Sequence, residues 1–186
     1  MRQESAYTRR LTTMKNNKKK IAVSVVAAIL LVLLYLLIFA FSGQDGEESG
    51  SLSSMISEKC AELLNAISRK HWTQNVINSM AAYFEHPIRK LAHFSEYACM
   101  GVLYGVWRPW KERNRKLYLL IVLWVFVSAG ADEFHQLFVP GRYGCFADVV
   151  LDTCGGAFGL LVCVYVEKIV RRRKQKRKDK EKEITL

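Results

Sequence analysis

Residues Ser128 to Asp152 read SAGADEFHQLFVPGRYGCFADVVLD, with apolar runs on both sides at 117–131 and 149–166. Within this stretch lie Asp132, Glu133, His135, Gln136, Arg142, Asp148 and Asp152. Hydrocarbon offers such groups no partners, so an ionisable residue among membrane-length apolar runs marks a functional site by default. Pro140-Gly141 is a turn signal that separates the end of one helix from the start of the next. Two membrane helices therefore meet at a tight turn, with acids and imidazole gathered around it.

Working outward, residues 21–41 form an apolar run long enough to cross about 30 Å of hydrocarbon. It follows a basic arm, 1–20, and has neither the short core nor the small-residue cleavage site of a signal peptide, so a retained anchor is expected. A polar section, 42–90, comes next. In it Leu52, Ile56, Cys60, Leu63, Leu64 and Ile67 recur at helical spacing, with Ser51 or Ser53 placed to cap the helix. A second amphipathic piece carries Trp72, Val76, Ile77, Met80 and Phe84 and is expected to stop at Pro87. Such a pair either lies on the membrane surface over the bundle or acts as a lid. Further apolar helices follow at 91–107, 117–138 and 147–167, and a charge run at 168–186 is expected to be a solvated, disordered tail.

The expected fold is thus all-α, a four-transmembrane-helix bundle with an extracytoplasmic helical segment between its first two spans. Lys and Arg set its orientation. Seven lie in the arm, five in the loop 108–116 and ten in the tail, against five in 42–90 and one in the tight turn. That bias places both termini in the cytoplasm. It also explains the net charge of +11 through topology, which argues against nucleic acid as partner. Five Cys without a CxxC indicate neither a disulfide framework nor a zinc site.

This topology turns scattered polar residues into one layer. Asp132 lies about 15 residues, or roughly 22 Å, beyond the cytoplasmic start of its helix. His93 and Glu96 fall one to two turns from the outer end of 91–107, and Asp148 and Asp152 occupy the first turns of the last helix from the same face. Gly101 and Gly105, like Gly155 and Gly159, have the GxxxG spacing that lets helices approach closely, which predicts packing of 91–107 on 147–167. Catalytic candidates are His93, Glu96, Glu133, His135, Asp148 and Asp152, as general acids and bases. His93-x-x-Glu96 and Glu133-x-His135 with the two aspartates could also ligate a divalent metal. The alternative is a polar network that only fixes the helices. Arg142 either pairs with Asp148 or offers bidentate contact to a phosphate.

At FSGQDGEESGSLS, RKLAHFSEYACMG and DEFHQLFVPGRYGCFADVVLDTCGG the chain resembles the VanZ-like family of small membrane proteins, over about 41–161. The resemblance implies a polytopic protein of a bacterial plasma membrane; the namesake is associated with low-level resistance to the glycopeptide teicoplanin. It assigns ligand-binding positions to Arg89, Lys90, His93, Glu96, Tyr97, Glu133, Gln136, Arg142, Asp148 and Asp152, and the depth argument adds Asp132. Asp152 stands where the family often has Asn, which raises the acidity of the chamber and favours a cationic partner. The expected ligand is an anionic or lipid-linked cell-wall precursor in the outer leaflet. The open alternatives are a hydrolase or phosphotransfer enzyme acting on such lipids, and a subunit of a transport or envelope-assembly complex.

Overall fold

A computed structural model describes residues 2–107 and 114–184, and all its regular structure is helical: α1 (Arg2–Ser42), α2 (Gly46–Ser68), α3 (Gln74–Trp107), α4 (Arg115–Gln136) and α5 (Phe146–Ile184). Most of the basic loop, residues 108–113, lies outside the described residues. Among those described, three helices are long and apolar enough to cross a membrane, at Asn17–Ser42, Arg115–Gln136 and Phe146–Arg177. Their outward surfaces are those of lipid-facing helices. Val25, Ile29, Leu33, Leu36 and Phe39 of α1 are exposed, as are Leu119, Leu123 and Phe134 of α4.

α3 is the element the sequence misjudged. It was expected as two pieces divided at Pro87, yet it runs unbroken through that residue. Proline inside a helix removes one hydrogen bond and crowds the preceding turn, at a cost of about 3 kcal/mol. Burial on both sides of it offsets that cost. Before Pro87, Ile77 and Ala81 pack with Ala61 of α2; beyond it, Tyr97 and Met100 join the main core with Val125, Ala129 and Leu160. The tail expected to be disordered instead continues α5 as helix to Ile184. Its Lys, Arg, Glu and Gln are good helix formers, so charge alone does not unwind it.

α2 begins at Gly46, five residues before the first expected cap, so Ser51 and Ser53 lie inside the helix. Its amphipathicity is turned outward. Ser53, Ser57 and Ala61 are buried, while Leu52, Ile56, Leu63 and Ile67 are exposed. The small residues let α2 lie close against α3; Leu63 and Ile67 of the apolar stripe are the most exposed, while Leu52 and Ile56 also wall a pocket shared with α3.

α3 packs most extensively on α5, and the glycines are the reason. A Cβ on Gly101 would overlap the Gly156 carbonyl oxygen, and one on Gly159 the Ala98 carbonyl oxygen. Deeper in the bundle, Tyr35 Oη bonds Ser128 Oγ at 2.8 Å and Tyr104 Oη at 3.1 Å, and it accepts from Trp124 Nε1 at 3.0 Å. This network ties α1, α3 and α4 together.

Candidate functional site

The turn between α4 and α5 builds one wall of the site. α4 is capped at Leu137, and Gly141 takes the left-handed conformation (φ 73°) that glycine adopts without strain. Gly46 approaches it closely, and its N–H donates to the Pro140 carbonyl at 3.1 Å. The neighbouring Arg142 reaches back to the end of α1, donating to the carbonyls of Phe41 (3.0 Å) and Gln44 (3.3 Å). The Phe41 carbonyl, which also accepts from the Gln44 N–H at 3.3 Å, lies at the negative end of α1, where a cation is favourable. On the other side of the turn, the Glu133 carboxylate accepts from the Cys145 backbone N–H at 2.8 Å and fixes the residue before α5.

These contacts enclose a cavity of about 440 Å³ lined by Arg89, Lys90, His93, Glu133, Gln136, Arg142, Asp148 and Asp152, together with Glu85, His86 and Tyr143. A smaller pocket of about 100 Å³ adjoins it, sharing Arg89, His93 and Arg142. It is walled by Phe41, Leu52, Ile56, Ile88 and Ala92, with Glu96 at its edge. A polar chamber thus opens beside an apolar one.

The cations stand around the rim. Arg89 pairs with Glu85 at 2.8 Å and approaches Ser53 Oγ at 3.5 Å. Lys90 pairs with Asp148. The expected pairing of Arg142 with Asp148 is therefore not the one formed: Lys90, one turn before His93, holds Asp148, and Arg142 turns to the end of α1. Burial pushes the Arg142 guanidinium below its ordinary value, and the charge of Arg89 pushes in the same direction. Two cations that repel across one rim are a place where an anion is stabilising.

His93 and Asp152 form the floor of the cavity, and Asp132 lies against them just outside its lining. His93, Asp132 and Asp152, from α3, α4 and α5, each bring one oxygen or ring nitrogen within 4.8 Å of the others. Asp132 accepts from Gln136 Nε2 at 3.4 Å and is hydrogen-bonded by Ser42. His93 Nδ1 is 3.8 Å from Glu96 Oε2, beyond hydrogen-bond range, and has no hydrogen-bond partner. Asp152 is fully buried, and neither of its oxygens has a partner among the described residues. Native structures satisfy most buried polar atoms, so these orphans need an explanation.

Two expected site residues lie elsewhere. His135 stacks on Phe39 (centroids 4.8 Å apart) and meets Ser42 Oγ through Nδ1 at 3.4 Å, so it belongs to the α1–α4 contact. Its neighbour Gln136 takes the inward place. The proposed Glu133-x-His135 ligand pair therefore does not form. Tyr97 is buried in the apolar core and does not line the cavity. Ser42 and Glu85 were missed: Ser42 carries no marker as a side-chain donor at the end of α1, whereas the i, i+4 spacing of Glu85 and Arg89 was a readable sign of a helical ion pair.

A family profile described as VanZ/LLP1 matches residues 27–169, well over half of the chain. No curated protein matches significantly, and no solved structure does.

Proposed function

The chain belongs to the VanZ/LLP1 family of membrane proteins, and from that premise we propose that its cavity binds the phosphate-bearing headgroup of an outer-leaflet lipid. A lipid-linked cell-wall precursor is the fitting ligand, and the protein contributes to tolerance of teicoplanin-type glycopeptides. In this reading residues 91–107 of α3 make a fourth span, both termini are cytoplasmic, and the membrane is a bacterial plasma membrane. α2 lies in the outer interface, with its exposed Leu63 and Ile67 among the acyl chains.

The observation that carries this reading is the shared wall of the two pockets. Arg89 and Arg142 line both the polar cavity and the apolar one beside it. An amphiphile is the ligand such a pair fits, with its phosphate on the guanidiniums and its first isoprenoid or acyl carbons against Ile56 and Ile88. Charge-assisted hydrogen bonds contribute about 1.5–3 kcal/mol each, so losing one guanidinium weakens binding by at least about tenfold. Purified protein in nanodiscs is titrated with undecaprenyl phosphate and with the neutral polyprenol. The wild type is expected to prefer the phosphate, and Arg89→Gln or Arg142→Gln to remove that preference. Equal binding of both lipids by the wild type sinks the proposal.

An enzymatic reading rests on His93, whose buried Nδ1 makes no hydrogen bond and whose ring lines both pockets. A positioned imidazole beside a bound phosphate suits general acid–base chemistry. Release of inorganic phosphate from the same lipid would establish turnover; bound lipid recovered unchanged leaves binding as the function.

A further inference from the structure

The floor of the cavity holds more hydrogen-bonding capacity than its neighbours satisfy. Asp152 is fully buried with both oxygens unpartnered, Asp132 is 8% exposed, and His93 Nδ1 is unpartnered beside them. None of the rim cations pairs with the floor: Lys90 holds Asp148, Arg89 holds Glu85 through Nη2 and leaves its Nε unpartnered among the described residues, and Arg142 reaches the carbonyls of Phe41 and Gln44. Removing one partner from a buried polar pair is costly, and a buried carboxylate with no partner is costlier still. A purely structural cluster would show its oxygens bonded. Among the described residues of this cluster, Asp152, with neither oxygen bonded, is also the most deeply buried.

We propose that His93, Asp132 and Asp152 bind a divalent cation of the Mn²⁺ or Zn²⁺ class at the floor of the cavity. The inference rests on the reading of the cavity as a phosphate-lipid site, in which the cation would face the headgroup. Geometry supports it first. One ligand atom from each residue lies within 4.8 Å of the other two. An octahedral ion with bonds of about 2.1 Å separates its ligands by roughly 3.0 Å (cis) to 4.2 Å (trans), so the three groups close onto one ion by small side-chain rotations. Each ligand comes from a different helix, and the glycine contacts at Gly101 and Gly159 hold two of those helices at fixed separation. Rigid elements of this kind suit a metal site.

The donor set narrows the ion. One imidazole and two carboxylates, with no thiolate, favour a borderline metal over Ca²⁺ or Mg²⁺, which take all-oxygen shells. Gln136 and Ser42 hydrogen-bond the Asp132 carboxylate, as outer-shell partners do at metal sites. Three protein ligands leave coordination positions open. His93 and Asp152 line the cavity itself, so those positions face the space between Arg89 and Arg142. A phosphate oxygen there would meet the metal on one side and guanidinium on the other.

The test uses the full chain in detergent, stripped with EDTA and desalted, then titrated with Mn²⁺ alone. Free Mn²⁺ is followed by its paramagnetic resonance signal, and bound metal is counted after gel filtration. The expected result is saturable binding of one ion per chain. Asp152→Asn and His93→Gln should each weaken it more than tenfold, while Glu62→Gln, at an exposed position on α2, leaves it unchanged. A variant that does not fold is replaced by Asp132→Asn, and a rise in wild-type thermal stability on adding Mn²⁺ provides an independent reading. No saturable binding by the wild type, or equal binding by Asp152→Asn and His93→Gln, overturns the proposal. Repeating the undecaprenyl phosphate titration in EDTA separates the two claims. Wild-type protein that binds the lipid but not Mn²⁺ leaves the lipid reading standing and removes the metal. Protein that binds Mn²⁺ but not the lipid does the reverse.

Discussion

Two polar clusters share this bundle, little more than a helical turn apart along α4. Around Tyr35, each hydroxyl meets another polar atom: Tyr35 with Ser128, Tyr104 and Trp124, and Ser128 also with the Trp124 carbonyl. Around Asp152, a carboxylate and an imidazole nitrogen have no hydrogen-bond partner among the described residues. Both clusters lie among apolar helices, where an unsatisfied group is expensive. The first has the form of a structural tie between α1, α3 and α4. The second keeps its hydrogen-bonding capacity unused, which is what a site for something else requires. Polarity in a membrane helix therefore does not by itself indicate function. Unsatisfied polarity is the sharper sign.

The largest expected effect comes from breaking the scaffold under both clusters. Gly159→Leu drives a side chain into the Ala98 backbone, and neither helix can yield without separating α3 from α5. The loss should reach or exceed the roughly 1–3 kcal/mol of ordinary core overpacking. Thermal unfolding in detergent measures it, and an unchanged midpoint would show that α3 and α5 do not meet along this stripe.

Tyr35→Phe comes next and addresses the satisfied cluster alone. It removes the hydroxyl on which Tyr104, Ser128 and Trp124 converge, at about 1–3 kcal/mol. Lipid binding by the surviving folded protein should stay at the wild-type level. A stable variant with impaired lipid binding would reverse the roles of the two clusters.

At the rim the effect is smaller. Lys90 and Asp148 are about one-third exposed, at 38% and 30% of their side chains. Pairs of this exposure contribute roughly 0–1 kcal/mol. Lys90→Met is therefore expected to leave the unfolding midpoint nearly unchanged while lowering affinity for phosphate lipid. A drop in stability as large as that of Tyr35→Phe would mark the pair as a structural tie instead.

Much of this was legible in the sequence because burying ionisable groups is costly. The acids, His93 and the rim cations stood out against apolar runs, and the glycine spacing pointed to the α3–α5 contact. What was not legible depends on neighbours. His135 and Gln136 differ by about 100° around α4, and which one faces inward depends on where α1 lies. α1 claims His135 through Phe39 and Ser42. Pro87 reads as a stop locally, yet packing before and after it carries α3 through. The choice between Arg142 and Lys90 as partner of Asp148 likewise turns on the α1 end, whose carbonyls engage Arg142. α2 shows the same limit. Its apolar stripe was visible, but the buried face is the row of small residues opposite.

One residue separates the two clusters most directly. Asp152→Asn preserves shape and removes the charge of a fully buried carboxylate without a hydrogen-bond partner. Its thermal unfolding midpoint, measured beside the wild type after both are stripped with EDTA, tests whether that carboxylate serves the fold. A built-in electrostatic cost kept for binding predicts a midpoint equal to or above that of the wild type. A midpoint lowered as far as that of Tyr35→Phe would place Asp152 in a structural network and contradict the account.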